Sequence, residues 1–288
     1  MKDRKSVNKS CVRKVVQGAV VAALCAGATV ANAQITRGFI APHEYSLPDP
    51  NGMAPWNVFV EYATLQKTND NWNAKGDKKK SDDVEQFVGL SKYVHFWSLT
   101  PTVGMGWELI VPEVSVRNRT ADASVSGIGD PITGPALWIK PNANWTLGLD
   151  FFVQLPVGDQ SLRTTRWNTI GSVFWDAQYD KFNYTGNLGY QFPGPTDKAT
   201  TARPAQNWYF NNRFGYRVSE LVEPYVGVDY EWQDSKSGNP RNHELGGAAG
   251  VMFHMMKTST LAVHYQWGIE GENRPRSNNL NLRWVYVF

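Results

Sequence analysis

The last eleven residues of the chain, 278-NNLNLRWVYVF-288, decide the fold class. Side chains of a β-strand point alternately to its two faces, so this stretch places its leucine and aromatic side chains on one face. A soluble sheet that buries its apolar face in a core would show this alternation, and so would a lipid-facing strand of a closed barrel. The apolar face carries Leu280, Leu282, Trp284, Tyr286 and Phe288, and the polar face carries Asn279, Asn281 and Arg283.

The same alternation recurs upstream of the terminal strand. In the clearest example, 144–157, Trp145 and Leu147 alternate with Thr146 and Gly148. Segments of about ten residues with alternating hydrophobicity, separated by turn residues, are typical of transmembrane barrels. The pattern predicts twelve strands, at 56–66, 83–94, 102–116, 127–140, 144–157, 170–180, 183–192, 206–218, 223–233, 244–256, 259–269 and 277–288.

The connections between these strands alternate in length. Short turns and long loops at opposite ends are characteristic of outer-membrane barrels, whereas a soluble sandwich has no reason to place every long loop at one end. Hydrocarbon offers no partner for backbone polar groups, so the first strand must pair with the last. We therefore predict an all-β fold, a transmembrane antiparallel β-barrel over residues 56–288 built as an up-and-down meander of about twelve strands. The long connections are 67–82, 117–126, 158–169, 193–205, 234–243 and 270–276, and the short ones include 141–143, 181–182 and 257–258.

The N-terminus has the features of a secretory signal. Six Lys and Arg residues precede an apolar run over 15–30, which ends at Ala31-Asn32-Ala33. This arrangement predicts a secretory signal peptide over 1–33. Together with the barrel pattern, it predicts the outer membrane of a Gram-negative bacterium as the location. Residues 34–55 contain four prolines and no sustained alternation, so they form an irregular segment, either a flexible lead or a plug inside the lumen.

Removal of the signal changes the charge balance. Six of the 29 basic and one of the 26 acidic residues leave with it, which leaves 23 basic and 25 acidic residues. No nucleic-acid partner is therefore expected. Both cysteines also leave, so no cysteine metal site is expected. The 12 Trp, 12 Tyr and 13 Phe residues suit the aromatic girdles of a membrane barrel.

The polar faces of the predicted strands place ten ionisable side chains in the lumen. They could shape a permeation path. They could equally form interlocked ion pairs that fill a narrow barrel and conduct nothing. The ten candidates are Glu61, Glu108, Asp150, Asp176, Arg213, Arg217, Asp229, Glu231, His264 and Arg283.

Enzymatic motifs are absent from the sequence. The five histidines show no i, i+4 pair of a helical zinc site, although His254 and His264 lie on neighbouring predicted strands and could approach one another. No serine-hydrolase elbow, phosphate loop or dinucleotide fingerprint occurs. We predict no catalytic residue, no metal site and no cofactor, with a membrane-embedded hydrolase as a minor alternative. Asp130 in the Gly-Ile-Gly-Asp-Pro motif at 127–131 is predicted to satisfy backbone donors at a strand entry.

Three motifs together carry a resemblance to a known family. They are Gly-Ile-Gly-Asp-Pro at 127–131, Leu-Pro-Val-Gly-Asp at 155–159 with Trp167-Asn168 following, and Gly-Glu-Asn-Arg-Pro at 271–275 before the terminal Phe288. The chain resembles the MetA-pathway of phenol degradation family of outer-membrane barrels.

The resemblance implies an outer-membrane channel for passive uptake of small hydrophobic or aromatic compounds. The expected partners are outer-membrane lipid, small apolar or aromatic solutes, and the barrel-assembly machinery, which would read Trp284, Tyr286 and Phe288 as its terminal signal. The alternative is a structural or ligand-binding barrel with a blocked lumen.

Overall fold

The computed structural model describes residues 38–46, 55–164, 166–194, 206–234 and 240–288. The predicted signal peptide, 1–33, lies outside the described residues. None of the described residues belongs to a helix long and apolar enough to cross a bilayer.

The regular structure consists of β-strands. In chain order they are β1 (Trp56–Trp72), β2 (Lys78–Thr100), β3 (Val103–Asn118), β4 (Ala123–Ile128), β5 (Ile132–Asn142), β6 (Trp145–Gln154), β7 (Asn168–Tyr179), β8 (Phe182–Pro193), β9 (Asn207–Tyr216), β10 (Val222–Gln233), β11 (Asn242–Met256), β12 (Ser259–Glu272), β13 (Arg274–Pro275) and β14 (Asn278–Val287).

The strands form a closed ring of twelve antiparallel strands. Strand β1 pairs with β2 on one side and with β14 on the other, so the last strand closes the barrel against the first. The short strands β4 and β13 lie outside the ring order and extend it, β4 beside β3 and β13 beside β1. The predicted transmembrane antiparallel barrel and its closure are confirmed.

Both ends of the barrel chain lie at the same mouth as the short turns. The turns 101–102, 143–144, 180–181, 217–221 and 257–258 join consecutive strands there. The backbone N–H of Asn57 donates to the carbonyl oxygen of Phe288 at 2.8 Å, which brings the start and the end of the ring together. We call this end the short-turn mouth and the opposite end the long-loop mouth.

Three predicted connections, 67–82, 117–126 and 270–276, are largely strand. Strand β1 continues to Trp72 and β2 begins at Lys78, so only 73–77 form the turn within the predicted loop 67–82. Strands β3 and β4 likewise leave only 119–122 as a turn. Beyond the bilayer a hairpin needs no lipid-facing apolar side chains, so its polar composition resembles that of a loop. The predicted strand 127–140 is also divided, because Pro131 lacks the N–H that continuous pairing requires.

The outer surface of the ring is a belt of exposed apolar side chains. Leu149 and Phe151 on β6 are 50% and 51% exposed, and their counterparts recur on every side of the barrel. The rings of Trp284, Tyr286 and Phe288 stack in sequence along β14, with centroid separations of 6.2 and 5.6 Å. A continuous apolar surface of this extent is a lipid-facing surface, because soluble monomers expose only small apolar patches.

Candidate functional site: a two-sided lumen

One half of the barrel wall presents a polar interior. Its inward side chains come from β8, β9, β10, β12 and β14, and we call them the polar wall. Asp229 accepts hydrogen bonds from Arg213 and Gln266, both at 2.7 Å, and Asn279 donates to Gln266 at 3.0 Å. The polar wall comprises Asn183, Thr185, Asn187, Asn211, Arg213, Asp229, His264, Gln266, Asn279, Asn281 and Arg283.

The other half presents an apolar interior. Its inward side chains come from β1, β2, β5 and β7, and we call them the apolar stripe. The ring of Trp138 lies 4.8 Å from that of Phe96 and 5.4 Å from that of Phe174. Sequence reasoning missed this stripe, because it assigned apolar faces to lipid throughout. The stripe comprises Val58, Val60, Tyr62, Val88, Leu90, Val94, Phe96, Ala136, Trp138 and Phe174.

Residues 38–46 lie inside the ring, bound to the polar wall through their backbone. We call them the lumen segment. Arg213 donates to the carbonyl oxygens of Ile40 at 3.0 Å and Gly38 at 3.3 Å. His264 donates to Gly38 at 2.7 Å, and Arg283 donates to the carbonyl of Pro42 at 3.2 Å. Three predicted lumen residues therefore hold the part of the predicted irregular segment 34–55 that runs from 38 to 46.

The side chains of the lumen segment reach across to the apolar stripe. Tyr45 stacks on Phe174 with ring centroids 4.4 Å apart. Glu44 accepts a hydrogen bond from the Tyr62 hydroxyl at 2.5 Å, and its other oxygen lies 2.9 Å from Nε of Arg283. The segment thus bridges the two halves of the lumen.

Two cavities lie along the stripe on either side of Glu44 and Tyr45. One, of about 110 Å³ at mid-barrel, is lined by Tyr62, Leu90, Ile132, Phe152 and Ile170 among others. The second, of about 270 Å³ towards the short-turn mouth, is lined by Val58, Val60, Val94, Phe96 and Trp138 among others. Lys92 and Glu108, an ion pair at 2.7 Å, border both cavities.

The structure places nine of the ten predicted lumen residues on the inner side. Asp150 accepts from Ser172 at 2.6 Å, Asp176 accepts from Thr185, and Glu231 pairs with Arg274 at 2.9 Å. Arg217 lies at the short-turn mouth, 3.1 Å from the ring nitrogens of His254. The buried members of the set are Glu108, Asp150, Asp176, Arg213, Asp229, Glu231, His264 and Arg283.

Glu61 lies on the opposite face from the one predicted. Val60 and Tyr62 on either side of it point inward, so alternation directs Glu61 to the lipid-facing surface. There it accepts a hydrogen bond from Ser91 of β2 at 2.7 Å. The prediction failed because the inner face of β1 is more apolar than its outer face, which reverses the usual assignment.

The Asp130 motif organises a loop at the long-loop mouth. The Asp130 carboxylate accepts from the backbone N–H of Gly158 at 2.9 Å and of Thr164 at 2.7 Å. Leu162 in the same loop packs against Val114 and Val116, which point inward from β3. The motif therefore fixes a loop that folds over part of the lumen, consistent with the predicted role of Asp130 as an acceptor for backbone donors.

The comparison with protein families decides the relationship. The family model described as "Putative MetA-pathway of phenol degradation" matches residues 55–284. The chain belongs to this family. A search of curated proteins found no match.

The barrel of this phenol-degradation family member is similar to solved outer-membrane structures. An outer membrane channel from Pseudomonas putida F1 superposes with a TM-score of 0.76 at 19% identity, over 86% of this chain and 100% of that one. The β domain of the Bordetella autotransporter BrkA gives 0.52 at 14% identity, over 82% and 100%. The translocator domain of autotransporter NalP from Neisseria meningitidis gives 0.50 at 8%, over 94% and 97%. At these identities the likeness is one of fold.

Proposed function

We propose that this member of the phenol-degradation family is an outer-membrane channel for passive uptake of small apolar or aromatic compounds by a Gram-negative bacterium. The observation that carries the proposal is the apolar stripe, which runs inside the lumen past two cavities. An inner wall built only to stabilise a barrel could be mostly polar, as the opposite wall is. Aromatic side chains on the stripe suit aromatic solutes, because rings pack well edge to face or with offset stacking.

The lumen segment sets the constriction on this path. Tyr45 and Glu44 separate the mid-barrel cavity from the one nearer the short-turn mouth. A solute that moves along the stripe must displace or pass the Tyr45 ring, which rests on Phe174. Passage between the two cavities requires this local rearrangement and a concentration gradient. The proposal therefore includes no catalytic step, cofactor or energy source.

Uptake by whole cells tests the proposal. The protein would be expressed in a Gram-negative strain without other hydrocarbon channels, and initial uptake of radiolabelled toluene compared with that of arabinose, a polar solute. We expect faster toluene uptake than in cells with an empty vector and little change for arabinose. Arabinose uptake that rises while toluene uptake stays constant would indicate a general polar pore instead.

A structural barrel with a blocked lumen is the second candidate. It is favoured by the buried Arg213–Asp229 pair and by the lumen segment, which together occupy much of the polar side. This function predicts a folded protein, judged by heat-dependent gel mobility, that changes neither toluene nor arabinose uptake.

We also infer that the barrel-assembly machinery recognises the terminal aromatic side chains of β14. Phe288 is exposed at the short-turn mouth, where the ring closes. Phe288→Ser should lower the yield of folded barrel in cells. Phe192→Ser changes an equally exposed ring on β8 and serves as the matched control. Equal yields from both variants would contradict the assignment.

A further inference from the structure

Three ligand-type side chains meet at the short-turn mouth. His43 comes from the lumen segment, Glu223 from β10 and His254 from β11. Oε2 of Glu223 lies 2.9 Å from Nε2 of His43 and 2.8 Å from Nε2 of His254. One ligand atom from each residue lies within 4.8 Å of the others. His254 thus approaches His43, and not His264 as its neighbouring strand suggested.

The chemistry of this set suits a transition-metal ion. Two imidazoles and one carboxylate are a recurrent zinc ligand set, with a fourth position left for water or another ligand. The two rings cross at 76° with centroids 5.7 Å apart, so they approach the carboxylate from different directions. A tetrahedrally coordinated ion needs ligand atoms that approach it from different directions, which two stacked rings would not provide. The Glu223 side chain is almost fully buried, so its charge needs a cationic partner.

The position of His43 is fixed by its surroundings. Its backbone N–H donates to the Thr185 hydroxyl at 3.1 Å and to the Asn183 amide oxygen at 3.3 Å. Its φ of 59° is in the left-handed region, which non-glycine residues adopt only when the surroundings impose it. The side-chain nitrogen of Asn183 lies 3.4 Å from Nδ1 of His43.

The cluster has a route for an ion. A cavity of about 370 Å³ at the short-turn mouth is lined by His43 and His254, together with Ser46 and Arg217. Arg217 is 41% exposed and lies 3.6 Å from Glu223, so it is a replaceable cation next to the carboxylate. An ion that enters through this cavity can take the place of Arg217 beside Glu223.

We propose that His43, Glu223 and His254 bind a divalent transition-metal ion, with Zn²⁺ the best match, and that the ion fastens the lumen segment to the barrel wall. One ligand belongs to the segment and two belong to the wall. A ligand that binds only one arrangement stabilises that arrangement by its binding free energy. The metal therefore favours the barrel with its segment docked.

Metal binding is tested directly on the full-length protein purified in detergent. Zn²⁺ would be titrated in competition with a chromophoric chelator, and Co²⁺ would be added alone to record its visible absorption. We expect one ion per barrel, and His43→Gln and His254→Gln should each weaken Zn²⁺ binding by more than about tenfold, as loss of even an outer-shell partner costs 10–100-fold.

His243→Gln is the matched control. His243 lies on the same strand as His254, near the long-loop mouth, and also neighbours a carboxylate, Glu272 at 3.5 Å. The control should bind Zn²⁺ as the wild type does. Equal affinities for the wild type and His43→Gln, or an equal loss in His243→Gln, would overturn the site.

A measurement on the wild type alone keeps the test independent of variant folding. Electron paramagnetic resonance of the Cu²⁺-loaded protein should show two imidazole nitrogens bound to one ion. A signal with no bound imidazole would overturn the site.

Hydrogen exchange tests the fastening. Zn²⁺ should slow amide exchange in 38–46 of the wild type and leave His254→Gln unchanged. Zn²⁺ that binds tightly without slowing exchange would overturn the fastening. None of these measurements involves transport, so they stand or fall separately from the uptake proposal.

Discussion

Arg213 and Asp229 form an ion pair inside the barrel, with Nη1 and Oδ1 2.7 Å apart and both side chains fully buried. The same guanidinium donates to two backbone carbonyls of the lumen segment. One arginine therefore connects neighbouring strands of the wall to the chain that crosses the lumen.

Replacement of Arg213 should be among the most costly single changes. Arg213→Ala leaves Asp229 as a buried carboxylate without its cation, which costs about 3–5 kcal/mol. Urea unfolding in detergent measures the loss. The control is Arg241→Ala, which removes an arginine 58% exposed and 3.5 Å from Glu272. An exposed pair of this kind contributes under about 1 kcal/mol. Equal losses in the two variants would contradict the role of the buried pair.

Adjacent residues on β6 test which face meets lipid. Leu149 is half exposed on the outer belt and Asp150 is buried inside, where it accepts from Ser172. Leu149→Arg should cost about 2–4 kcal/mol near the bilayer midplane, whereas Asp150→Asn should assemble normally. Val228→Arg, on the outer belt of β10, should impair assembly in the same way. Yields of folded barrel ranked the other way would mean that the faces are inverted.

Two glutamates, Glu61 on β1 and Glu108 on β3, test which face of β1 meets the lumen. Glu61 faces lipid and accepts a hydrogen bond from Ser91, whereas Glu108 is buried inside and pairs with Lys92. Glu61→Leu should preserve or increase stability, because a carboxylate is replaced on the lipid face. Glu108→Leu should destabilise the barrel, because Lys92 is left buried without its partner. If Glu61→Leu destabilised the barrel as much as Glu108→Leu does, Glu61 would have to lie in the lumen.

The Tyr45 ring is predicted to limit passage between the two cavities. Tyr45→Ala removes the ring stacked on Phe174 and should join the cavities. We expect larger single-channel conductance in planar bilayers and faster toluene uptake than for the wild type. Tyr45→Phe keeps the ring and is the control, with values close to the wild type. A Tyr45→Ala protein with unchanged conductance and uptake would place the constriction elsewhere.

The terminal strand shows which part of the fold can be predicted from the sequence. In β14, Trp284 and Tyr286 face lipid and Asn281 and Arg283 face the lumen, as their alternation predicts. Alternation is sufficient over 279–284 because the inward side chains there, Asn279, Asn281 and Arg283, are polar. The alternation of long and short connections predicts the order of the strands. Closure of the ring is predicted separately, since a sheet in lipid cannot leave backbone groups unpaired at an open edge.

The apolar stripe could not be predicted in the same way. On β1 both faces carry apolar side chains, so hydrophobicity alone pointed Val58 and Val60 to lipid and Glu61 to the lumen. The lumen segment was also ambiguous. Its anchoring depends on contacts such as Arg213 to Ile40, which are 173 residues apart in the chain, and no local pattern encodes such a contact. The proximity of His43 and His254 cannot be predicted from the sequence for the same reason.

The measurement that tests the central claim most directly is toluene uptake by cells that express a barrel with a polar stripe. Phe96→Asn combined with Trp138→Gln makes the lining of the cavity of about 270 Å³ more polar while the outer belt is retained. The control is Asn281→Ala, on the polar wall. We predict that toluene uptake falls to the empty-vector rate in the folded stripe variant and stays at the wild-type rate in the control. Wild-type toluene uptake by the folded stripe variant would contradict the account.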